Sequence, residues 1–260
     1  MNNNGSIYII GIGSGSIEHL TFKAKETILA CDVIVGYKTY IDLISDVIKG
    51  KEIFSTGMTH EKERCQKAIE FAVSGKKVAV ISSGDAGIYG MAGLVLELKS
   101  HIPHPASHIP VSIIPGVPAF CAAGALLGAP LMNDFASISI SDILTPWDTI
   151  KKRVGAAARG DFVIVLYNPK SKKRVSQLDE AINIISNFRK DETPVGIVRD
   201  ATRKDEEIRI TTLKDTSLHY DFIDMTTILI IGNSTTFLSD GRMITPRGYA
   251  IQPSSKGPTC

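Results

Sequence analysis

Short apolar runs alternate along the chain with longer segments in which apolar residues recur every three or four positions. The short runs are rich in valine and isoleucine and predict strands, whereas the longer segments predict helices with one buried face. Regular alternation of the two is typical of an α/β fold built on a mostly parallel sheet. The predicted strands span residues 6–12, 32–36, 77–82, 111–115, 136–140, 161–167, 194–199 and 226–232.

Two of the longer segments show the helical period most clearly. Val175, Leu178, Ile182 and Ile185 recur at spacings of three and four residues, which predicts one apolar face of a helix. Residues 60–75 show the same period, and Gly75 suits the end of that helix because glycine readily adopts the left-handed conformation.

Two features predict how the chain is divided. Residues 101–110 are polar and contain three prolines, so we predict a loop there and two α/β lobes, residues 1–115 and 116–260. Residues 197–213 look like two strands joined by a charged turn, which predicts antiparallel pairing and a mixed sheet in the second lobe.

Composition argues against several functional classes. The 29 basic and 27 acidic residues leave a net charge of +2, too small for a general affinity for nucleic acid. The four cysteines form no CxxC pair, which argues against a zinc ribbon, an iron–sulfur cluster and a disulfide framework and favours a reducing compartment. No run approaches the roughly 18 apolar residues of a membrane span, so we expect a cytoplasmic protein without a membrane partner.

Three histidines raise the question of a metal site. His101, His104 and His108 have a spacing that would suit one face of a helix, but Pro103 and Pro105 exclude a regular helix there. We therefore expect an exposed loop and no metal.

The first glycine-rich segment is GIGSGS, directly after the first predicted strand. A dinucleotide fold needs GxGxxG, and the glycines at positions 11, 13 and 15 do not match this spacing. Asp32 opens the second strand instead of closing it, so it is badly placed to bind a ribose. This spacing disfavours a nucleotide-dependent oxidoreductase and is equally consistent with a tight turn between strand and helix.

The second segment, SSGDAGIYGMAG at residues 82–93, follows a buried strand and precedes an apolar helix. It therefore lies at the carboxyl edge of the sheet, where open α/β proteins bind ligands. Asp85 stands beside Gly84 and the loop contains no basic residue, so a cation or a hydroxyl-rich ligand fits better than a phosphate.

Seven segments in this order carry a family resemblance: GIGSGS, SSGDAGIYGMAG, IPGVPAF, DILTPW, VLYNPKSKKR, VRDAT and ILIIGNS. Over about residues 6 to 235 the chain resembles the tetrapyrrole (corrin/porphyrin) methyltransferases of cobalamin biosynthesis. DILTPW and YNPKSKK resemble the C(17)-methyltransferase branch, which acts on precorrin-3B or cobalt-factor III.

The resemblance implies a tetrapyrrole methylase fold with two α/β lobes, a donor-binding cleft between them and a homodimer. It also implies S-adenosylmethionine as the donor, released as S-adenosylhomocysteine. The implied reaction is methyl transfer to ring carbon 17 of a corrin precursor that can carry cobalt, accompanied by ring contraction. The sulfonium cation and ribose hydroxyls of this donor agree with a glycine loop that has an acid and no base.

The resemblance also assigns roles to individual positions. The implied donor-binding residues are Ser83, Gly84, Asp85, Ile88, Pro118, Ala119, Asn168 and Ala201. The implied substrate-binding residues, mostly cations suited to a polyacidic macrocycle, are Lys38, Ser141, Lys170, Lys172, Lys173, Arg174 and Arg199, and Arg203 adds a further charge. The candidates for catalysis are Ser14, Tyr37 and Asp142, where Tyr37 occupies the place of an aspartate proposed as catalytic in some relatives.

Other functions stay open at this level. Within the same class they are a tetrapyrrole methylase of different regiochemistry and a diphthamide-type methylase acting on a protein. Outside it, the alternatives are a non-catalytic tetrapyrrole carrier and the oxidoreductase that the glycine spacing disfavours.

Overall fold

The computed structural model describes residues 5–101, 108–171 and 174–250. The chain divides into two compact units: the first contains residues up to Leu126 together with Val198–Glu207, and the second contains Leu127–Ile197 and the residues from Ile208 onward. This division differs from the one predicted at residue 115. Helical periodicity cannot reveal that the helix after residue 118, or the distant segment Val198–Glu207, packs with the first unit.

The first unit is built on a five-stranded sheet. Its strands are β1 Ser6–Gly11, β2 Val33–Tyr37, β3 Glu52–Thr56, β4 Lys77–Ser82 and β5 Val111–Ile114. They lie in the order β3-β2-β4-β1-β5, and all recorded pairings are parallel. The helices are α1 Phe22–Ala30, α2 Lys38–Leu43, α3 Glu61–Val73, α4 Ala92–Ser100 and α5 Ala119–Leu127.

Both faces of the central strands β1 and β4 are buried. Ile9 and Val80 belong to the apolar cluster that includes residues of α3 and α4, whereas Ile10 and Ile81 belong to the cluster with α1 and α2. Successive side chains of a strand point to opposite faces, so a strand with helices on both sides needs a continuous apolar run. This is why the inner positions of β1 and β4 are mostly apolar.

The ends of the helices follow local chemistry. The Thr21 hydroxyl accepts a hydrogen bond from the Ala24 N–H at 3.1 Å, which caps the first turn of α1. The helix α3 ends at Val73, and Gly75 then adopts a φ of +93°. The predicted stop at Gly75 is thereby confirmed.

The second unit has a mixed sheet and a small additional one. Its strands are β6 Gly128–Ala129, β7 Phe135–Ser139, β8 Val163–Tyr167, β9 Pro194–Arg199, β10 Glu207–Thr212, β11 Thr227–Ile231, β12 Phe237–Ser239 and β13 Arg242–Ile244. Its two α-helices among the described residues are α6 Trp147–Arg159 and α7 Ser176–Ser186, and a 3₁₀ helix spans Thr216–His219. The five-stranded order is β10-β9-β11-β8-β7, with β7 parallel and β11 antiparallel to β8, and β12, β13 and β6 form the small sheet.

The predicted α/β class and mixed second sheet are confirmed, and each predicted strand is present within one or two residues. The edge strand β3 was missed because Glu52–Thr56 is polar and largely exposed. In α7, Leu178, Ile182 and Ile185 are buried as predicted, but Val175 precedes the helix and is 55% exposed. No helix in the described part of the chain is long and apolar enough to cross a membrane.

Candidate functional site

Three loops meet at the carboxyl edge of the first sheet, where the adjacent strands β4, β1 and β5 end. The contact involves a glycine at the end of β1 and one in each of the loops after β4 and β5. A Cβ on Gly11 would lie 2.6 Å from the Gly84 carbonyl oxygen and 2.7 Å from the Gly116 nitrogen, and a Cβ on Gly116 would overlap the same Gly84 oxygen. Glycine is therefore required at these positions because a side chain would prevent the close approach of one loop to another.

The loops after β1 and β4 are also joined through their main chains. Gly84 N–H donates to the Gly13 carbonyl at 2.7 Å, and Gly13 N–H donates to the Gly84 carbonyl at 3.1 Å. Gly84 has a φ of +63°, which a residue with a side chain rarely adopts. This two-way bridge fixes the start of the proposed donor loop against the segment GIGSGS.

Asp85 supports the shape of the loop cluster with its carboxylate. Oδ1 accepts a hydrogen bond from Gly87 N–H at 2.8 Å, and Oδ2 accepts one from Gly116 N–H at 3.0 Å. The same carboxylate therefore closes its own turn and holds the loop that follows β5. The sequence indicated an acid in this loop but not these two partners.

Pro118 and Ala119 lie beside Gly84 at the start of α5. A Cβ on Gly84 would be 3.6 Å from both the Pro118 Cα and the Ala119 nitrogen, an ordinary contact distance. The first N–H groups of a helix have no partner within the helix, so this corner offers donors to a ligand. Ile88 is half-buried in the turn that follows Asp85.

The tip of the β9–β10 hairpin belongs to the same unit. Arg203 donates through Nε to the Ser14 carbonyl at 3.1 Å and through Nη2 to the Ser83 hydroxyl at 3.4 Å. The Ser14 and Thr202 hydroxyl oxygens are 2.7 Å apart and hydrogen bonded. Ala201, a predicted donor contact, is buried between two neighbours with positive φ, Asp200 at +49° and Thr202 at +63°.

Three further candidates of the first unit have partners of their own. Tyr37 packs edge-on against Tyr40 with ring centroids 5.1 Å apart. Burial raises the pKa of the Tyr40 phenol, and the Arg203 charge opposes that rise. Lys38 forms an exposed ion pair with Asp42 at 2.9 Å, and Arg199 pairs with Glu207.

A cavity of about 320 Å³ lies next to the hairpin tip in the first unit. One side is polar and the other is formed by small and apolar residues of α5. Its lining residues are Ser16, Glu18, His19, Ala122, Ala125, Leu126, Thr202, Arg203 and Glu206. The sequence did not point to this cavity, because its walls come from three segments far apart in the chain.

The second unit carries the other predicted residues at the ends of β7 and β8. Asn168 has a φ of +51°, and its side-chain amide donates to the Ser139 hydroxyl at 3.0 Å. Ser141 is half-buried, and its N–H donates to the same hydroxyl at 3.4 Å. The strained backbone at Asn168 is the kind of feature that clusters at functional sites.

Arg174 is buried in the second unit. Its side chain is 6% exposed, and Nη1 donates to the carbonyls of Ile140 at 3.1 Å and Asn168 at 3.0 Å. Burial lowers the pKa of the guanidinium, and the nearby Asp142 opposes this. A guanidinium held by backbone carbonyls inside the unit stabilises the ends of β7 and β8, and the role of Arg174 as a substrate cation stays a prediction.

The remaining candidates of the second unit are less buried. Asp142 accepts a hydrogen bond from Gln177 Nε2 at 2.9 Å and lies 3.9 Å from Arg174 Nε. The Lys170 ammonium donates to the Tyr220 carbonyl at 2.7 Å. Lys172 and Lys173 lie outside the described residues, as does His104.

Comparison with known proteins identifies the family of this chain. The sequence profile of the Tetrapyrrole (Corrin/Porphyrin) Methylases matches residues 6–217 of this chain. The chain belongs to this methylase family. A probable cobalt-factor III C(17)-methyltransferase of Salmonella typhimurium is 51% identical over 243 residues, which cover 94% of this chain and 99% of the relative. A precorrin-3B C(17)-methyltransferase of Sinorhizobium sp. is 36% identical over 252 residues, covering 95% and 98%.

Solved structures agree with this methylase fold. The crystal structure of the methyltransferase CobJ superposes with a TM-score of 0.87 at 32% identity, covering 93% of this chain and 100% of that one. A uroporphyrin-III C-methyltransferase from Thermus thermophilus complexed with S-adenosylhomocysteine has a TM-score of 0.69 at 19% identity, covering 88% and 97%. At that identity the second likeness shows the fold alone.

Sequence reasoning on this methylase missed the residues that hold the site in shape. Gly116, Thr202 and the structural role of Arg203 were not identified. A glycine shortly after each of three strands was the available signal for Gly116. No local pattern could have paired Thr202 or Arg203 with a loop almost 190 residues earlier.

Proposed function

We propose that this methylase transfers a methyl group from S-adenosylmethionine to ring carbon 17 of a corrin precursor, with ring contraction, in cobalamin biosynthesis. The observation that carries the proposal is the 51% identity, over nearly the full length of both chains, to a relative with the name of that activity. The glycine and aspartate loop at the carboxyl edge of a parallel sheet supports it from the structure.

The residues of the first unit fit the donor. The loop 82–93 contains no Lys or Arg, so it suits a sulfonium cation and ribose hydroxyls better than a phosphate. Gly84, Pro118 and Ala119 present main-chain groups close together, and Ser83 adds a hydroxyl. The proposed donor contacts of this unit are Ser83, Gly84, Asp85, Ile88, Pro118, Ala119 and Ala201, while Asn168 stays a prediction from the family resemblance.

When bound, the donor would supply an electrophilic methyl group. The C–S bond would break with its electron pair staying on sulfur, and a C–C bond would form at carbon 17. The electron-rich macrocycle provides the nucleophilic electron pair. The chain's residues therefore act mainly by alignment and exclusion of water, and alignment can lower such a barrier by about 7 to 11 kcal/mol. Ser14, Tyr37 and Asp142 remain the proposed polar groups for proton transfer during ring contraction.

For the substrate we favour the cobalt-bearing precursor, cobalt-factor III. The support is the higher identity to the relative named for that substrate, 51%, than to the one named for precorrin-3B, 36%. The proposed cations for its acidic side chains are Lys38, Lys170, Lys172, Lys173 and Arg199, with Ser141 as a further contact. Arg174 is omitted because it is buried.

The test is incubation with methyl-labelled donor and, in parallel, cobalt-factor III and metal-free precorrin-3B. We expect a mass gain of one methyl group and a labelled methyl carbon attached to carbon 17 by ¹³C NMR, with higher kcat/KM for the cobalt-bearing precursor. Label at another ring position would replace this proposal by a methylase of different regiochemistry. Binding of the macrocycle without transfer would favour a carrier.

Assembly and location are proposed from the sequence. The family resemblance implies a homodimer, and the dispersed cysteines favour a reducing, cytoplasmic environment. Light scattering during size-exclusion chromatography tests the dimer, which has about twice the 28.1 kDa mass of the chain. A mass equal to one chain at micromolar concentration would contradict it.

A further inference from the structure

One guanidinium connects three segments of the first unit. Arg203 donates to the Ser14 carbonyl at 3.1 Å, to Asp200 Oδ1 at 3.3 Å and to the Ser83 hydroxyl at 3.4 Å. The planar fork of an arginine offers several N–H donors in fixed directions, which lets one side chain hold separate acceptors. Here the acceptors lie on the loop after β1, on the loop after β4 and on the hairpin tip itself.

The aliphatic part of the Arg203 side chain packs against Gly15, where the absence of a Cβ leaves room for it. Gly15 has a φ of +150°, and a Cβ there would overlap the Arg203 Cγ and lie 2.8 Å from Nε. Any larger residue at Gly15 must therefore displace the arginine. The glycine at position 15, which broke the dinucleotide pattern in the sequence, is explained by this contact.

A second bond fixes the same turn to the same loop. The Thr202 hydroxyl is 2.7 Å from the Ser14 hydroxyl, and Ser14 is only 4% exposed. The Thr202 N–H donates to Glu206 Oε2 at 2.7 Å. Non-glycine residues with positive φ cost about 1–3 kcal/mol each and persist only where surrounding contacts hold them. Asp200 and Thr202 are two such residues, so the hairpin tip is a rigid support.

Arg203 contacts the loops after β1 and β4, and the proposed reaction requires a fixed position of these two loops relative to each other. Ser83 begins the proposed donor loop, and Ser14 is one of the polar groups proposed for proton transfer during ring contraction. We propose that Arg203 is a positioning residue that fixes the Ser83–Asp85 loop relative to Gly13–Ser16 and thereby aligns the methyl donor with its acceptor carbon. The inference rests on the proposed methyltransferase activity and adds a residue to it.

The consequences for kinetics follow from this geometry. A misplacement of about 1 Å at a reacting centre can reduce the rate about 100-fold. The sequence predicted Arg203 as a further cation for the macrocycle, but its guanidinium donates to Ser14, Asp200 and Ser83. Its loss should therefore lower kcat much more than it raises KM for the tetrapyrrole. Donor affinity should also fall, because the Ser83 loop loses one of its supports.

The experiment compares Arg203→Ala with Lys204→Ala, an exposed neighbour on the same hairpin tip. S-adenosylhomocysteine binding is measured by calorimetry, and kcat and KM are measured with the tetrapyrrole at saturating donor. For Arg203→Ala we expect about tenfold weaker S-adenosylhomocysteine binding, about 100-fold lower kcat and KM within about threefold, because alignment is lost while the substrate contacts remain. Lys204→Ala should behave as wild type in all three.

Two further measurements separate positioning from a loss of folded protein. Methylguanidinium at millimolar concentration should restore part of the kcat of Arg203→Ala, whereas methylammonium at equal ionic strength should not. If Arg203→Ala does not fold, Gly15→Ala keeps the charge but displaces the stem, and we expect at least about tenfold lower kcat from it.

The inference is overturned if Arg203→Ala keeps kcat within threefold of wild type, or if its loss only follows the fraction unfolded and guanidinium gives no recovery. Wild-type kcat in Gly15→Ala would overturn it as well. Failure of the wild-type protein to bind S-adenosylhomocysteine or to transfer methyl would instead reject the proposed function, so the two failures are distinct.

Discussion

Gly13 and Gly84 are hydrogen bonded to each other in both directions, at 2.7 Å and 3.1 Å, although they lie on different loops of the first unit. The backbone pairing of β1 and β4 thus continues for two residues beyond the ends of the strands. The two hydrogen bonds hold the two glycine-rich loops together. The proposed donor site therefore depends on backbone contacts that side chains would prevent.

Replacement of Gly116 by alanine tests this dependence. The new Cβ would overlap the Gly84 carbonyl oxygen and lie 2.6 Å from Gly11, and both are backbone atoms that cannot move independently. We expect the free energy of unfolding to fall by about 2–3 kcal/mol, as in overpacked interiors. Urea unfolding measures this. The control Gly93→Ala has open space at its Cβ in α4 and should be neutral or stabilising by up to about 1 kcal/mol; equal stabilities of the two variants would contradict the loop-contact model.

Replacement of Asp85 by alanine removes the acceptor for the Gly87 and Gly116 N–H groups. Hydrogen bonds to a charged group contribute about 1.5–3 kcal/mol, so we expect S-adenosylhomocysteine affinity to fall at least about tenfold. Tetrapyrrole affinity should change little. Calorimetric titration of both ligands measures this, with Asp46→Ala, an exposed carboxylate of the same unit, as the control. An unchanged donor titration would remove Asp85 from the site.

Replacement of Arg174 by methionine tests whether this residue stabilises the fold or binds the substrate. Methionine at this position keeps an apolar stem but leaves the carbonyls of Ile140 and Asn168 without their donor. We expect the free energy of unfolding to fall by about 2–4 kcal/mol. Arg153→Met, on an exposed position of α6, should change it by less than about 0.5 kcal/mol. Normal stability with a raised KM for the tetrapyrrole would return Arg174 to the substrate-binding set.

Lys172 and Lys173 are predicted from the sequence to bind the acidic side chains of the macrocycle. Changing both to alanine should raise KM for the tetrapyrrole about tenfold or more, because two charge-assisted contacts are lost. S-adenosylhomocysteine affinity should stay within about twofold of wild type. Lys152→Ala, an exposed lysine of α6, is the matched control. An equal loss for both ligands would refute the assignment.

The buried thiol of Cys65 predicts a loss of stability at alkaline pH. Burial raises its pKa from the ordinary 9.0 to about 12. Between these values the unfolded thiol is ionised while the folded one keeps its proton, so stability is complete below pH 9 and falls as pH rises towards 12. One such group contributes a slope of about 1.4 kcal/mol per pH unit.

Comparison with Cys65→Ala isolates this contribution. Between pH 9 and 10.5, wild type should lose about 2 kcal/mol more of its unfolding free energy than the variant, as measured by urea titration at each pH. The less buried Cys121 should contribute less in a parallel Cys121→Ala variant. Identical pH slopes for wild type and Cys65→Ala would show that the thiol ionises equally in both states.

Some features of the site were predictable because they depend on short stretches of chain. Gly84 and Asp85 follow an apolar strand and precede an apolar helix, which places them at the carboxyl edge of the sheet. The hairpin of β9 and β10 was visible from its charged turn between two β-branched runs. The same local logic could not reveal that Arg174 is buried, since a run of basic residues looks the same whether one of them is exposed or buried.

The sequence by itself determined the α/β class, the approximate positions of the main strands and the family, because alternation, helical period and motif spacing are properties of neighbouring residues. Only the tertiary structure decided which glycines approach one another and which cations are committed to structure. The hydroxyls of Ser14 and Thr202 are 188 positions apart in the chain and 2.7 Å apart in space. Such contacts depend on how segments distant in the chain pack together, which no local pattern specifies.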